Sequence, residues 1–376
     1  MGIVLIALNL RLGISSAAVL MGSVRTELGF GSVLAATIPA LPTASFAVAG
    51  FGAGRLAVRY GLERTVLFGL AALTAGLALR AAPATWALLA GTVFGMSGLA
   101  LCNVLLPTLL RSHFPDRVAM LAGVYTTVMA LGSTLAAAVA VPIAAGVGTP
   151  SLGLAVWALP ALIATLTWSF VRAPTGEAGQ TEVGEYISPM SMARTRFGLL
   201  VTAYFALQAL NAHSLIGWVA VLLTDHGMSS GGAGGIVALT QAVGIPATFL
   251  VLAFAREPGR LRLAFLLISG AMIAGFAGLL LAPVSEPVLW AVLCGLGMCS
   301  FPLVLSVIGK SGSSAAETTA LSSLSQSLGY LLAAVGPFAI GLLHSSSSGW
   351  TLPMAVLLMT AIAQLVVGLA LSGARR

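Results

Sequence analysis

The chain has 376 residues, of which 59% are hydrophobic and only 7% charged, with mean hydropathy +1.05 and a formal net charge of +7. A soluble domain carries about 25% charged residues, so this composition excludes a water-soluble fold and places the chain in lipid. The positive excess sits in short clusters between apolar runs. It lacks the basic face or aromatic-basic interleaving that nucleic acid requires.

A hydrocarbon core of about 30 Å takes about 20 apolar residues per helix. Runs of that kind are predicted near 2–24, 33–53, 65–82, 85–110, 118–143 and 153–171, then at 197–223, 234–254, 263–282, 287–308, 318–343 and 351–372. The first run has no basic region or small-residue cleavage site ahead of it, so it reads as a retained span and not a leader. Arg11 lies about ten residues into it, near the bilayer midplane at a rise of about 1.5 Å per residue. An arginine at that depth costs roughly 2.5 kcal/mol or more and faces the protein interior or a watery cavity. Its planar fork of donors suits a carboxylate, cyanate or similar anion; the alternative is a tie to backbone carbonyls of neighbouring helices. Asn9 and Arg11 stand two residues apart, about 200° round a helix, so one of the two turns toward a neighbouring helix.

Every Asp and Glu lies at a span end or in a loop. Arg11 therefore has no deep counter-carboxylate, which is what an anion carrier would show, and the usual carboxylate proton relay is missing. Spans four and five add Asn103 and Tyr125 as polar groups at depth. The small residues Gly91, Gly95 and Gly98, like Gly270, Gly275 and Gly278 later, suit close helix contact. Cys102, Cys294 and Cys299 fall inside apolar runs without metal-ligand spacing and read as small buried hydrophobes. No metal site and no cofactor is expected, and no Gly-x-x-x-x-Gly-Lys-Ser/Thr nucleotide motif occurs.

The polar stretch 172–196, with Glu177, Glu182 and Glu185, reads as a linker between a first bundle at 1–171 and a second at 197–376. Span seven holds Gln208, Asn211, Leu215 and Trp218 on one face by spacing, with His213 off that face. His213 is the deep side chain able to titrate near neutral pH; it would contact solute, couple transport to a proton, or pack as a hydrogen-bonded histidine. Gln326 and Tyr330 stand one turn apart on span eleven, and Gln241 lies in span eight. Gly336-Pro337 and Pro142 mark bends.

Lysine and arginine fix the expected orientation. With the N-terminus cytoplasmic, fourteen fall inside (Arg55, Arg59, Arg64, Arg111, Arg117, Arg172, Arg194, Arg196, Arg256, Arg260, Arg262, Lys310, Arg375, Arg376) and two, Arg25 and Arg80, outside. Both termini are thus expected in the cytoplasm. Arg55, Arg59, Arg64 and Arg117 would form a basic inner gating rim; topology alone also explains them.

The second half echoes the first. Ala7-Leu8-Asn9-Leu10-Arg11 aligns with Ala209-Leu210-Asn211-Ala212-His213, and Gly95-Met96-Ser97 with Gly297-Met298-Cys299, both at an offset of 202 residues. Two matches at one offset indicate a six-plus-six duplication, with the solute site at the midplane between the halves.

The first-span Ala-Leu-Asn-Leu-Arg run resembles the major facilitator superfamily, and within it the cyanate/nitroimidazole permease (CynX/NimT) group. The likeness extends to Gly54-Arg55-Leu56-Ala57-Val58-Arg59-Tyr60-Gly61-Leu62-Glu63-Arg64, to 98–107 with Phe114-Pro115-Asp116-Arg117, and to 325–334. Two departures stand out: Val58 occupies the place of the signature's usual Asp, so its carboxylate latch is not implied here, and Leu12-Gly13 follows Arg11 where the group tends to have Pro. The resemblance implies an all-α membrane protein of twelve helices in two pseudo-symmetric bundles, set in the cell (inner) membrane and working by alternating access. It implies a secondary carrier of small, often anionic or polar solutes, not an enzyme. Its cavity spans would hold Asn9, Arg11, Asn103, Tyr125, Gln208, Asn211, His213, Trp218, Gln326 and Tyr330. Two rival readings stand beside a small-anion carrier: an exporter of uncharged or amphipathic compounds such as nitroimidazole-like drugs, and a solute sensor that does not transport.

Overall fold

The computed structural model describes residues 2–31, 34, 38, 41–171, 186–257, 259–347 and 349–374. Most of the 172–196 linker, with Glu177, Glu182 and Glu185, lies outside them, as do Arg172, Arg375 and Arg376. Among the described residues twelve helices are long and apolar enough to cross a membrane. They are α1 (Gly2–Leu28), α2 (Leu41–Tyr60), α3 (Leu62–Leu79), α4 (Thr85–His113), α5 (Val118–Val147) and α6, in two pieces, Pro150–Ala155 and Ala158–Ser169. The second six are α7 (Arg196–Asp225), α8 (Ser230–Phe254), α9 (Leu261–Leu281), α10 (Pro287–Gly297 and Ser300–Ser311), α11 (Ala315–Ser347) and α12 (Thr351–Gly373). Large side chains such as Leu250, Phe338 and Leu281 are exposed, as a lipid-facing surface requires.

Helix ends follow local chemistry more than hydropathy. Thr149 and Thr195 each accept a hydrogen bond from the backbone N–H three residues on, capping α6 and α7. The second span, described as Leu41–Tyr60, runs on past the predicted end at 53, because Arg55 and Arg59, which end a hydropathy run, do not end a helix. What ends it is Gly61, held at φ +88°, a conformation that disfavours side chains. Glu63 and Arg64 then fall in the first turn of α3. Pro107, Pro142, Pro246 and Pro337 all sit inside continuous helices.

The chain divides into two compact units: Met1–Pro189 with Gly309–Ser323, and Met190–Ile308 with Leu324–Arg376. The end of α10 and the first turns of α11 thus belong to unit 1. There Thr319 Oγ1 lies 2.8 Å from Thr108 Oγ1, and Ser322 Oγ donates to the Val104 carbonyl at 2.7 Å. Within unit 1, α3 and α4 touch backbone to backbone: a Cβ at Gly76 would strike Gly91 and Gly95, and one at Gly98 the Gly69 carbonyl. In unit 2, Gly275 and Gly278 of α9 face the Cys294 and Trp290 side chains, while Gly270 meets nothing within 4 Å.

Candidate functional site

The two repeat-related helices, α1 and α7, place their polar residues by the same device. Asn9 is 2% exposed, and its Nδ2 donates to Leu5 O at 2.9 Å and to Pro160 O on α6 at 3.1 Å. Its Oδ1 is buried without a partner among the described residues. Asn211, fully buried, donates from Nδ2 to Gln364 Oε1 on α12 at 2.9 Å and accepts from Thr360 Oγ1 at 2.6 Å. Gln364 Nε2 in turn donates to Ser300 Oγ on α10 at 2.9 Å and to the Tyr204 hydroxyl at 3.4 Å. Asn9 therefore faces α6 and Asn211 faces α12, the sixth helix of each repeat.

Arg11, two residues beyond Asn9, leaves α1 on the opposite side. It is half-buried and has no hydrogen bond or ion pair among the described residues. A second arginine, Arg80, is 2% exposed at the end of α3 and donates to Gly13 O at 3.1 Å, where the negative end of the α3 dipole offsets its charge. Sequence reasoning set Arg80 at an outer span end and missed this contact with α1. Asn103 on α4 and Tyr125 on α5 are both buried in unit 1. Ser15 and Ser133, 2.6 Å apart, join α1 to α5.

In unit 2, α7 lies along α11, whose glycines admit α7 side chains. Phe205 closes on Gly329 and stands edge-on to Tyr330 at 5.3 Å. His213 takes Ala209 O as its Nδ1 partner at 2.7 Å and meets the Tyr330 ring edge-on at 6.4 Å. Trp218 donates from its indole to Pro337 O at 2.8 Å and fills the space left by Gly341. Leu215 is packed in the apolar core of this unit. Gln208 is buried, its Nε2 lacking a partner among the described residues, and Gln326 is 1% exposed. The structure thus brings His213 and Tyr330 together, whereas Asn211 and Trp218 spend their polar atoms on α12 and α11. Gln364, Thr360 and Ser300 were not foreseen; the amide of Gln364 inside an otherwise apolar run was the available signal.

Of the basic residues expected at a gate, Arg55 packs over the Tyr186 ring at 5.2 Å and Arg59 over Tyr60 at 5.3 Å. Arg64 and Arg117 are exposed. Arg111 reaches Thr318 Oγ1 at 3.4 Å, inside unit 1. Among the described residues no group of three or more His, Cys, Asp or Glu side chains is placed to hold a metal ion.

Residues 3–337 match the model of the Major Facilitator Superfamily. Full-length relatives include an uncharacterised transporter, YycB, of Bacillus subtilis (strain 168), 36% identical over 100% of this chain and 92% of that protein. A 2-nitroimidazole transporter of Escherichia coli (strain K12) is 30% identical over 98% of this chain and 93% of its own length. The cyanate transport protein CynX of the same organism is 26% identical over 98% and 95%. Among solved structures, the proton:xylose symporter XylE superposes with a TM-score of 0.79 at 11% identity, over 97% of this chain and 93% of XylE, a likeness of fold. The chain belongs to the Major Facilitator Superfamily. It is a twelve-span transporter of a small solute, similar to the CynX and nitroimidazole carriers, and not an enzyme.

Proposed function

We propose that this transporter is a secondary carrier of a small anion, cyanate- or carboxylate-like, working by alternating access with Arg11 as the anchor. The observation that supports this reading is the state of Arg11 itself. It lies about 15 Å along α1 by the helical rise, half-buried, with no partner among the described residues. A charge at such depth is costly unless something offsets it, and an incoming anion would complete the pair. Asn103, Tyr125, Gln208, Gln326 and Tyr330 would orient the solute, and His213 beside Tyr330 would contact it or accept a proton. The arginines at 55, 59, 64 and 117 would lie on the cytoplasmic side with both termini, following the bias of basic residues, and act as a gating rim.

A second reading, export of uncharged nitroimidazole-like compounds, is favoured by one comparison: the 2-nitroimidazole transporter is 30% identical to this chain and the cyanate transport protein 26%. A thermal-shift panel separates the two. Purified parent and Arg11→Gln are melted with cyanate, small carboxylates and 2-nitroimidazole. Stabilisation by anions that disappears in Arg11→Gln supports the anchor. Stabilisation by 2-nitroimidazole alone, equal in both proteins, overturns it.

A further inference from the structure

We infer that Asn9 and Asn211 are positioning residues, which set the rotation of α1 and α7 about their axes and so aim Arg11 and His213; neither amide contacts solute. This deepens the reading of Arg11 as the group that faces the solute and rests on it. Four observations lead there. The two asparagines occupy the same place in the duplicated halves, 202 residues apart, each two positions before the polar residue it would aim. Both are shut away from any pathway, at 2% and 0% exposure. Each bonds to the sixth helix of its own repeat, Asn9 to Pro160 O on α6 and Asn211 to Gln364 and Thr360 on α12. The residue two positions on leaves the helix about 200° away. In agreement, Arg11 makes no hydrogen bond or ion pair among the described residues, and the His213 ring meets the Tyr330 ring on α11.

The need for such a device follows from the solvent. In lipid no hydrophobic drive distinguishes one apolar helix face from another, so packing and interhelical hydrogen bonds decide which face turns where. Apart from Asn9 and Arg11, the first half of α1 is Ile, Val, Leu, Ala and Gly on every side. The apolar pattern selects no rotation; at this end of α1 the buried Asn9 amide does, with the Ser15–Ser133 contact further along, much as one buried asparagine fixes register in a coiled coil. Rotated by one residue, α1 would present Leu10 or Leu12 where Arg11 now stands. The grip in unit 2 is firmer, because Gln364 is itself held by Ser300 and Tyr204.

Thiol labelling tests this without a known solute. Cys102, Cys294 and Cys299 are replaced by alanine, and a single cysteine is introduced as Arg11→Cys or Leu12→Cys, each with Asn9 or with Asn9→Leu. The probe is the anionic reagent 2-sulfonatoethyl methanethiosulfonate on purified protein. With Asn9 present, the thiol at position 11 reacts and the thiol at position 12 is protected, since Leu12 is 2% exposed. In Asn9→Leu the rate at position 11 falls and that at position 12 rises, each by roughly fivefold, as the loss of one net hydrogen bond would shift a two-state population. Unchanged rates with only a lower melting temperature would make Asn9 a plain tie and overturn the inference. A thiol at position 11 that does not react even with Asn9 present overturns it too, and the reading of Arg11 with it. Should Asn9→Leu fail to fold, His213→Cys is labelled in the Asn211→Leu, Thr360→Val, Gln364→Leu background, where partners are removed together and no polar group of the trio is stranded. A rate there within twofold of that with Asn211 intact would likewise overturn the inference.

Discussion

The same helix pair is built in two ways in the two units. In unit 1, α3 and α4 meet through glycine backbones, Gly76 against Gly91 and Gly95, and Gly98 against Gly69. In unit 2, the corresponding α9 and α10 keep glycine at positions 278 and 297 but carry Leu293 and Ser300 where unit 1 has Gly91 and Gly98. There Gly278 receives the Trp290 ring, Gly297 faces Met272, and Ser300 accepts a hydrogen bond from Gln364. One unit gains contact by bringing backbones together, and the other by filling the gap with side chains and an amide network. Lipid permits both, because dispersion and hydrogen bonding, not hydrophobic burial, hold membrane helices to one another. The polar residues at the repeat's shared position diverge in parallel: a permanent cation, Arg11, in the unit of close backbones, and a titratable ring, His213, in the unit of networks.

The contrast is broken most severely at the glycine contact. Gly98→Val forces a side chain into the Gly69 carbonyl, which cannot move aside. Overpacking of this kind costs about 3 kcal/mol or more, and size-exclusion profiles should show little monodisperse protein; a variant that melts within a few degrees of the parent would refute the backbone contact. Next comes Gln364→Leu, which strands the Asn211 amide donor in unit 2, while Ser300 keeps its bond to the Gly297 carbonyl. Its expected cost is about 1–3 kcal/mol in thermal melting, reduced when Asn211→Leu and Thr360→Val are added. A triple variant less stable than Gln364→Leu alone would show that the amides do not act as one network. Trp218→Phe removes the indole donor to Pro337 O but keeps most of the ring. A loss of about 1 kcal/mol is expected, and no change would mean the bond does not help hold α7 against α11. Smallest is Gly270→Ala, which meets nothing within 4 Å. It should stay within about 0.5 kcal/mol of the parent, and a collapse there would reveal a contact partner for this face of α9.

The architecture was legible because a hydrocarbon core demands long apolar runs and internally satisfied backbones, and twelve such runs are hard to disguise. The end of the second span was set too early because Arg55 and Arg59 look like loop to a hydropathy count, although a helix carries them readily to Gly61. Of Asn9 and Arg11, geometry required one to face a neighbouring helix, but only the Pro160 carbonyl in space reveals which. Gln208, Asn211, Leu215 and Trp218 share a face by helical spacing alone. Whether such a face turns to water or to another helix depends on partners, and here Thr360, Gln364 and Pro337 lie far away along the chain. Arg80 was hidden for a similar reason: a residue just past a helix end reads as solvated until its side chain is seen to reach Gly13.

The most direct test of the central claim is flux. Parent, Arg11→Lys and Arg11→Gln are reconstituted in liposomes, and uptake of labelled cyanate is measured beside uptake of 2-nitroimidazole. An arginine that anchors the anion predicts saturable cyanate uptake by the parent and a fall of about ten- to a hundredfold in Arg11→Gln, as loss of a charge-assisted bond implies, with Arg11→Lys between them. Cyanate uptake undiminished in Arg11→Gln, or uptake of 2-nitroimidazole alone that is indifferent to residue 11, would contradict it.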